Sequence, residues 1–295
     1  MLTWRYHLLS LAAIFLALSL GVLIGVGLTD SGAVDTSRQD LIGSLQHDLD
    51  SLRNQNNQLS LENATNASFQ EDSFPFIVGG QLQGKRIAVV VAATAGGDIQ
   101  RRLETALHAA GAEVVTTTIL NSRFDLHEAA VKARTDMKNN PAFAAADDNA
   151  LVAPIAQELS REIGKGGNTA LLASLQGTLI DSIGGSYNAP VDGVVIISRA
   201  DDQQSASYSE IEKQLALDLR ALGVITVGCE PANAPISEIP LFQSAEISTV
   251  DNLDSFIGEV SVVYALAGEH GDFGVKPTAD MLIPILKSAK RAPQQ

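Results

Sequence analysis

Residues 84–97 read GKRIAVVVAATAGG, an unbroken apolar run that stops at two glycines. A strand with water on one face alternates apolar and polar residues. A run apolar at every position from Ile87 to Ala93 fits a strand buried on both faces, as in a parallel sheet. The stretch DIQRRLETALHAAG follows, with Ile99, Leu103, Leu107 and Ala110 on one helical face and Gly111 as a stop signal. AEVVTTTIL then reads as a second strand, so residues 84–120 form a βαβ unit. A second unit begins at VDGVVIISR (191–199). Its helix opens with a capping-box pattern, Ser209 to Glu212, lines its inner face with Ile211, Leu215, Leu219 and Leu222, and stops at Gly223 before the strand VITVGC. EISTVD predicts a short strand, with Asp251 capping the helix NLDSFIGEVSVVYALAG. Residues 125–183 read as mainly helical. Strands alternating with helices predict an α/β domain over 75–295, its mainly parallel sheet covered by helices.

Sheets of this kind bind ligands in the loops after their strands. Those loops hold Gly96, Asp201, Glu230 and Asp251, the residues we assign as candidate ligand positions. ATAGGD after the first strand is neither GxGxxG nor a Walker loop, because no Lys-Ser/Thr pair follows to hold a phosphate and its metal. Grouped carboxylates could hold a hard cation, but helix caps and solvated loop carboxylates explain these acids more simply. The five histidines are scattered, Cys229 ends an apolar strand as a small buried thiol would, and no serine sits in a nucleophile motif. The reading is therefore of a protein that is not an enzyme, with no metal site and no cofactor.

The composition agrees. The chain has 295 residues and a net charge of −14, and in its first 29 residues only Arg5 is charged. An acidic chain of this kind does not bind nucleic acid by charge. One cysteine allows no internal disulfide.

Upstream of the α/β domain lie two further segments. Leu8 to Leu28 has no charged residue and matches the roughly 20 residues a helix needs to cross a bilayer. Trp4 and Tyr6 flank it, and Arg5 sets the positive-inside bias: residues 1–29 are expected to be a cytoplasmic tip and membrane anchor, with the rest of the chain outside. A signal peptide cleaved after SGA (31–33) is the alternative. The span carries only Ser10 and Ser19 as polar side chains and no Cys, Met or His, so one copy makes no path for a soft metal ion. Ala13, Ala17, Gly21 and Gly25 recur every four residues, a stripe along which two helices could approach closely in lipid. Residues 36–66 predict a coiled-coil stalk, with Ile42, Leu49 and Asn56 at position a and Leu45, Leu52 and Leu59 at d. The alternative is a single amphipathic helix packed on the domain. NATNASFQEDSFPF (63–76) reads as a polar linker ending that helix. Stripe and heptads together predict a membrane-anchored homodimer.

The opening WRYHLLSLAAIFLALSLGVLIG, the leucine-rich heptads after it, ISTVDNLDSFIGEVSVVYALAG and GDFGVKPTADMLIP resemble the MctB family of copper transport proteins over nearly the whole chain. The resemblance implies a cell-envelope protein of copper export or homeostasis, described for the family as pore-forming, with copper as the ion handled. A SteB-like line of the family is tied instead to cell-wall remodelling at division. That implies the second reading, a non-enzymatic scaffold with an envelope protein partner. No agreed ligand set carries over. Asp251 and Asn252 match the family pattern without an assigned role.

Overall fold

The computed structural model describes residues 3–29 and 33–284. It divides into two compact units, Met1–Phe69 and Gln70–Gln295.

The first unit is helical. α1 (Thr3–Thr29) contains 24 residues, Trp4–Gly27, long and apolar enough to cross a membrane. Ser19 returns its hydroxyl to the carbonyl of Phe15 at 2.7 Å, so this polar group is satisfied inside the helix. The alternative cleavage site at Ser31–Ala33 falls where residues 30–32 lie outside the described residues. α2 spans Ala33–Val78. The linker expected at 63–76 is therefore helix, a correction to the sequence reading. Its Ala, Gln and Glu residues tolerate helix well. Pro75 lies inside the last turn, where the helix goes without the bond that an N–H at this position would give to the carbonyl of residue 71. The end of α2, from residue 70 on, belongs to the second unit and is packed within it: Val78 is fully buried, Tyr264 donates to the Ile77 carbonyl at 2.9 Å, and Phe74 meets Phe256 edge-on at 5.7 Å.

In the second unit, β1 (Arg86–Ala92), α3 (Gly97–Ala109) and β2 (Glu113–Leu120) form the expected βαβ unit, with β1 and β2 parallel. α4 (Leu126–Asp136), α5 (Val152–Gly164) and α6 (Ala170–Ser174) follow. β3 (Ile180–Gly185) pairs antiparallel with β2 at the sheet edge, a strand missed inside the stretch read as helical. β4 (Gly193–Ile197), α7 (Ala206–Ala221), β5 (Ile225–Cys229), α8 (Ile239–Ser244), β6 (Ser248–Val250), α9 (Phe256–Leu266) and β7 (Asp272–Phe273) complete it. The seven described strands make one open sheet, β3-β2-β1-β4-β5-β6-β7, parallel at every pairing except β2–β3.

The apolar run of β1 is explained by its two faces. Ala88, Val90 and Ala92 enter one core, with residues of α4, α5, α6 and α7. Ile87, Val89 and Val91 enter the other, with residues of α3 and α9. Gly111 and Gly223 follow the two helices at φ +90° and +75°, the left-handed turn that glycine adopts without strain.

Two helix starts differ from the sequence reading. α7 begins at Ala206, so Ser209 and Glu212 form no capping box; both side chains turn to other partners. α9 is capped by Ser255, whose Oγ accepts from the Gly258 amide at 3.1 Å, and Asp251 is freed for a different task.

Candidate functional site

The loops after β1, β4, β5 and β6 come to the carboxyl edge of the sheet. Their side chains are spent largely on one another. Thr94 donates to the Arg199 carbonyl at 2.7 Å, and Arg199 returns a guanidinium hydrogen bond to the Thr94 carbonyl at 3.3 Å. This clasp joins the loops after β1 and β4. Gly96, next along, has open space where a side chain would stand and holds a φ of +85° to start α3.

Asp201 belongs to a separate pairing. Arg123, from the loop after β2, donates to its Oδ2 at 2.6 Å, and the Gln203 amide donates to Oδ1 at 3.0 Å. The Arg123 hydrogen bond, followed by the amide, holds this carboxyl below its usual range.

Glu230 and Asp251 are brought together by one segment the sequence reading passed over, residues 274–276. Oε1 of Glu230 accepts from Ser237 at 2.7 Å and from Lys276 Nζ at 2.5 Å, while Oε2 accepts from the Glu238 amide at 2.8 Å. Asp251 accepts from the amides of Val275 and Lys276, both at 2.8 Å. Gly274 makes this approach possible. It sits at φ +143°, and a side chain there would run into the Asp251 carboxylate. The acids at β5 and β6 thus strap the segment after β7 onto the sheet edge. The sequence signal was Lys276 itself, one cation in GDFGVKPTAD within an acidic domain.

Sequence reasoning also missed a buried polar group under this edge. Glu212 on α7 is fully buried, with Oε2 accepting from Ser198 at 2.8 Å. Glu238 nearby accepts from Ser209 at 2.8 Å and from Gln204 at 2.9 Å. Burial, reinforced by the charge of Glu238, pushes the Glu212 carboxyl up to about 8; the hydrogen bond from Ser198 offsets only part of that. The signal was present in the i, i+4 spacing of Tyr208, Glu212 and Ala216, which puts Glu212 on the inner face of its helix. Glu162 is another fully buried acid. It receives the Leu171 and Leu172 amides at 3.0 and 2.8 Å and so starts α6.

Cys229 is buried at the end of β5, where burial and the adjacent Glu230 raise its thiol far above the usual value. It is a packing thiol, since nucleophiles and metal ligands need the thiolate. Among the described residues, no three His, Cys, Asp or Glu side chains are grouped to hold a metal ion. Ala13, Ala17, Gly21 and Gly25 lie along α1, and Ile42, Leu45, Leu49, Leu52, Asn56 and Leu59 lie along the exposed surface of α2.

Comparison with known proteins accounts for both units at once. The family described as "Copper transport outer membrane protein, MctB" matches residues 1–284. Proteins named Copper transporter MctB, from Mycobacterium bovis and from two strains of Mycobacterium tuberculosis, are each 26% identical over 318 residues, covering 93% of this chain and 96% of their own. The match takes in the apolar helix, the heptad helix and the α/β domain alike, and the chain belongs to the MctB family.

Proposed function

We propose that this protein serves copper homeostasis at the bacterial cell envelope as a single-pass anchored protein with no enzymatic activity. The observation that carries the reading is the family match over residues 1–284, which joins the apolar helix to the α/β domain in relatives named copper transporters. In this reading α1 crosses the cell membrane with its N-terminus in the cytoplasm, as Arg5 and the terminal amine favour, and the α/β domain stands on the other side. Copper is the cargo of the pathway. The chain's own residues supply the anchor and a folded outer domain.

A second reading is a scaffold for an envelope protein partner in cell-wall remodelling. It is supported by the layout of the chain, an apolar helix and a long heptad-bearing helix leading to an α/β domain. A deletion strain separates the two. Copper hypersensitivity with normal septa, reversed by the full chain, supports the copper role. Septation defects with unchanged copper tolerance support the scaffold.

A further inference from the structure

Five apolar residues of α2 share one narrow face; Leu41 and Leu61, also exposed, stand off it at positions g and f. Ile42, Leu45, Leu49, Leu52 and Leu59 are each 52–60% exposed, at the alternating three- and four-residue spacing of a heptad seam. The seam is bounded. One heptad upstream the same positions hold Asp35 and Arg38, and one heptad downstream they hold Asn63 and Asn66. A face this narrow suits another helix with the same seam better than the wide apolar stripe by which a helix docks on a globular core.

We propose that this face is covered by the same face of a second copy, in a parallel, in-register, two-stranded coiled coil over residues 42–59. The charges beside the seam carry the argument. Asp48 stands at position g and Arg53 at the following e. In a parallel in-register pair, each g residue meets the e residue five positions on in the other strand, so Asp48 of each copy meets Arg53 of the other, twice by symmetry. An antiparallel pairing sets g against g and e against e, and loses the match. Within one chain Arg53 reaches Asp50 at 3.3 Å, with both side chains largely in solvent, so this bond exchanges at little cost. Asn56 falls at the last a position of the seam, where two copies can pair their amides and where asparagine selects two strands at a fixed register. The parallel direction rests on the anchored reading above: two copies held by α1 in one membrane run the same way.

The test uses the full chain in its own membranes. Leu45→Cys and Leu52→Cys place thiols at d, and Asn54→Cys places one at the outer f position. Cys229 is buried and stays in place. Mild oxidation is expected to give a dimer-sized band for Leu45→Cys and Leu52→Cys and none for Asn54→Cys. No band at the d positions, bands of higher order, or equal cross-linking at Asn54 overturns the proposal. In the Leu52→Cys background, Asp48→Arg and Arg53→Asp are each expected to cut cross-linking several-fold, and the two together to restore it. Failure of the combined variant to recover overturns the parallel register. Mass spectrometry of the cross-linked species reads the anchor separately. A dimer lacking residues 1–33 overturns the anchored reading and leaves the seam standing.

Discussion

Lys276 Nζ lies 2.5 Å from Oε1 of Glu230, a residue 46 positions earlier whose side chain is 1% exposed. The amide of the same lysine is held by Asp251. One residue therefore neutralises a buried carboxylate with its side chain and is fixed by a second carboxylate through its backbone. The loops that could have formed a ligand site are closed by the chain's own cation.

Removing that cation should be costly. Lys276→Met leaves Glu230 charged, buried and without its ion partner. Loss of one member of a buried pair costs about 3–5 kcal/mol, and the 20% exposure of Lys276 places this case nearer 2–3 kcal/mol. Denaturant unfolding of the detergent-solubilised full chain measures it. Adding Glu230→Gln should recover part of the loss, and a double variant no more stable than Lys276→Met alone would show that the pair is not the cause.

Gly274→Ala tests the strap from the backbone. The new side chain meets the Asp251 carboxylate, and φ +143° is a conformation that alanine resists. Strain of this kind costs about 1–3 kcal/mol. Increased protease cleavage near residue 274, with a lower melting temperature, is the expected outcome; a wild-type profile in both would remove the strap's claim to stability.

Glu212 predicts a pH dependence with a definite sign. Its carboxyl is pushed up to about 8 in the folded domain, against roughly 4.3 in an unfolded chain. The folded state then holds the extra proton between those values. The stability from this group is fully present below about 4.3 and is lost as pH rises through about 8. Glu212→Gln should flatten this part of the stability–pH profile and raise the melting temperature relative to wild type most at pH 8–9. Calorimetric scans of both proteins from pH 5 to 9 provide the comparison, and parallel curves would show that Glu212 does not titrate in this window.

The chain should hold no tight copper site in its α/β domain. Cys229 is buried with a raised thiol, and Met137 and Met281 stand far apart in sequence. Titration of the purified full chain with Cu(I) and Cu(II) under chelator competition is expected to show no stoichiometric site of nanomolar affinity. A site of that strength would place copper on the protein itself.

The sequence by itself determined the parts whose signal is local and repeated. The charge-free run of α1, the doubly buried β1, the βαβ unit at 84–120 and the stops at Gly111 and Gly223 each follow from neighbouring side chains. The mainly parallel sheet follows from strands and helices in alternation. Tertiary structure alone decided the rest. β3 reads IDSIGG, too polar and too glycine-rich to declare itself, and is a strand because β2 offers it a ladder of hydrogen bonds. α2 runs on to Val78 because its last turn is buried by α9, whatever its own propensity. Asp251 straps residues 275 and 276 because the segment after β7 comes to lie beside it, and Ser255 takes the cap in its place. Hydrophobic periodicity reports which face a segment buries. It does not report what a carboxylate meets 24 or 46 residues away, and the strap depends on those encounters.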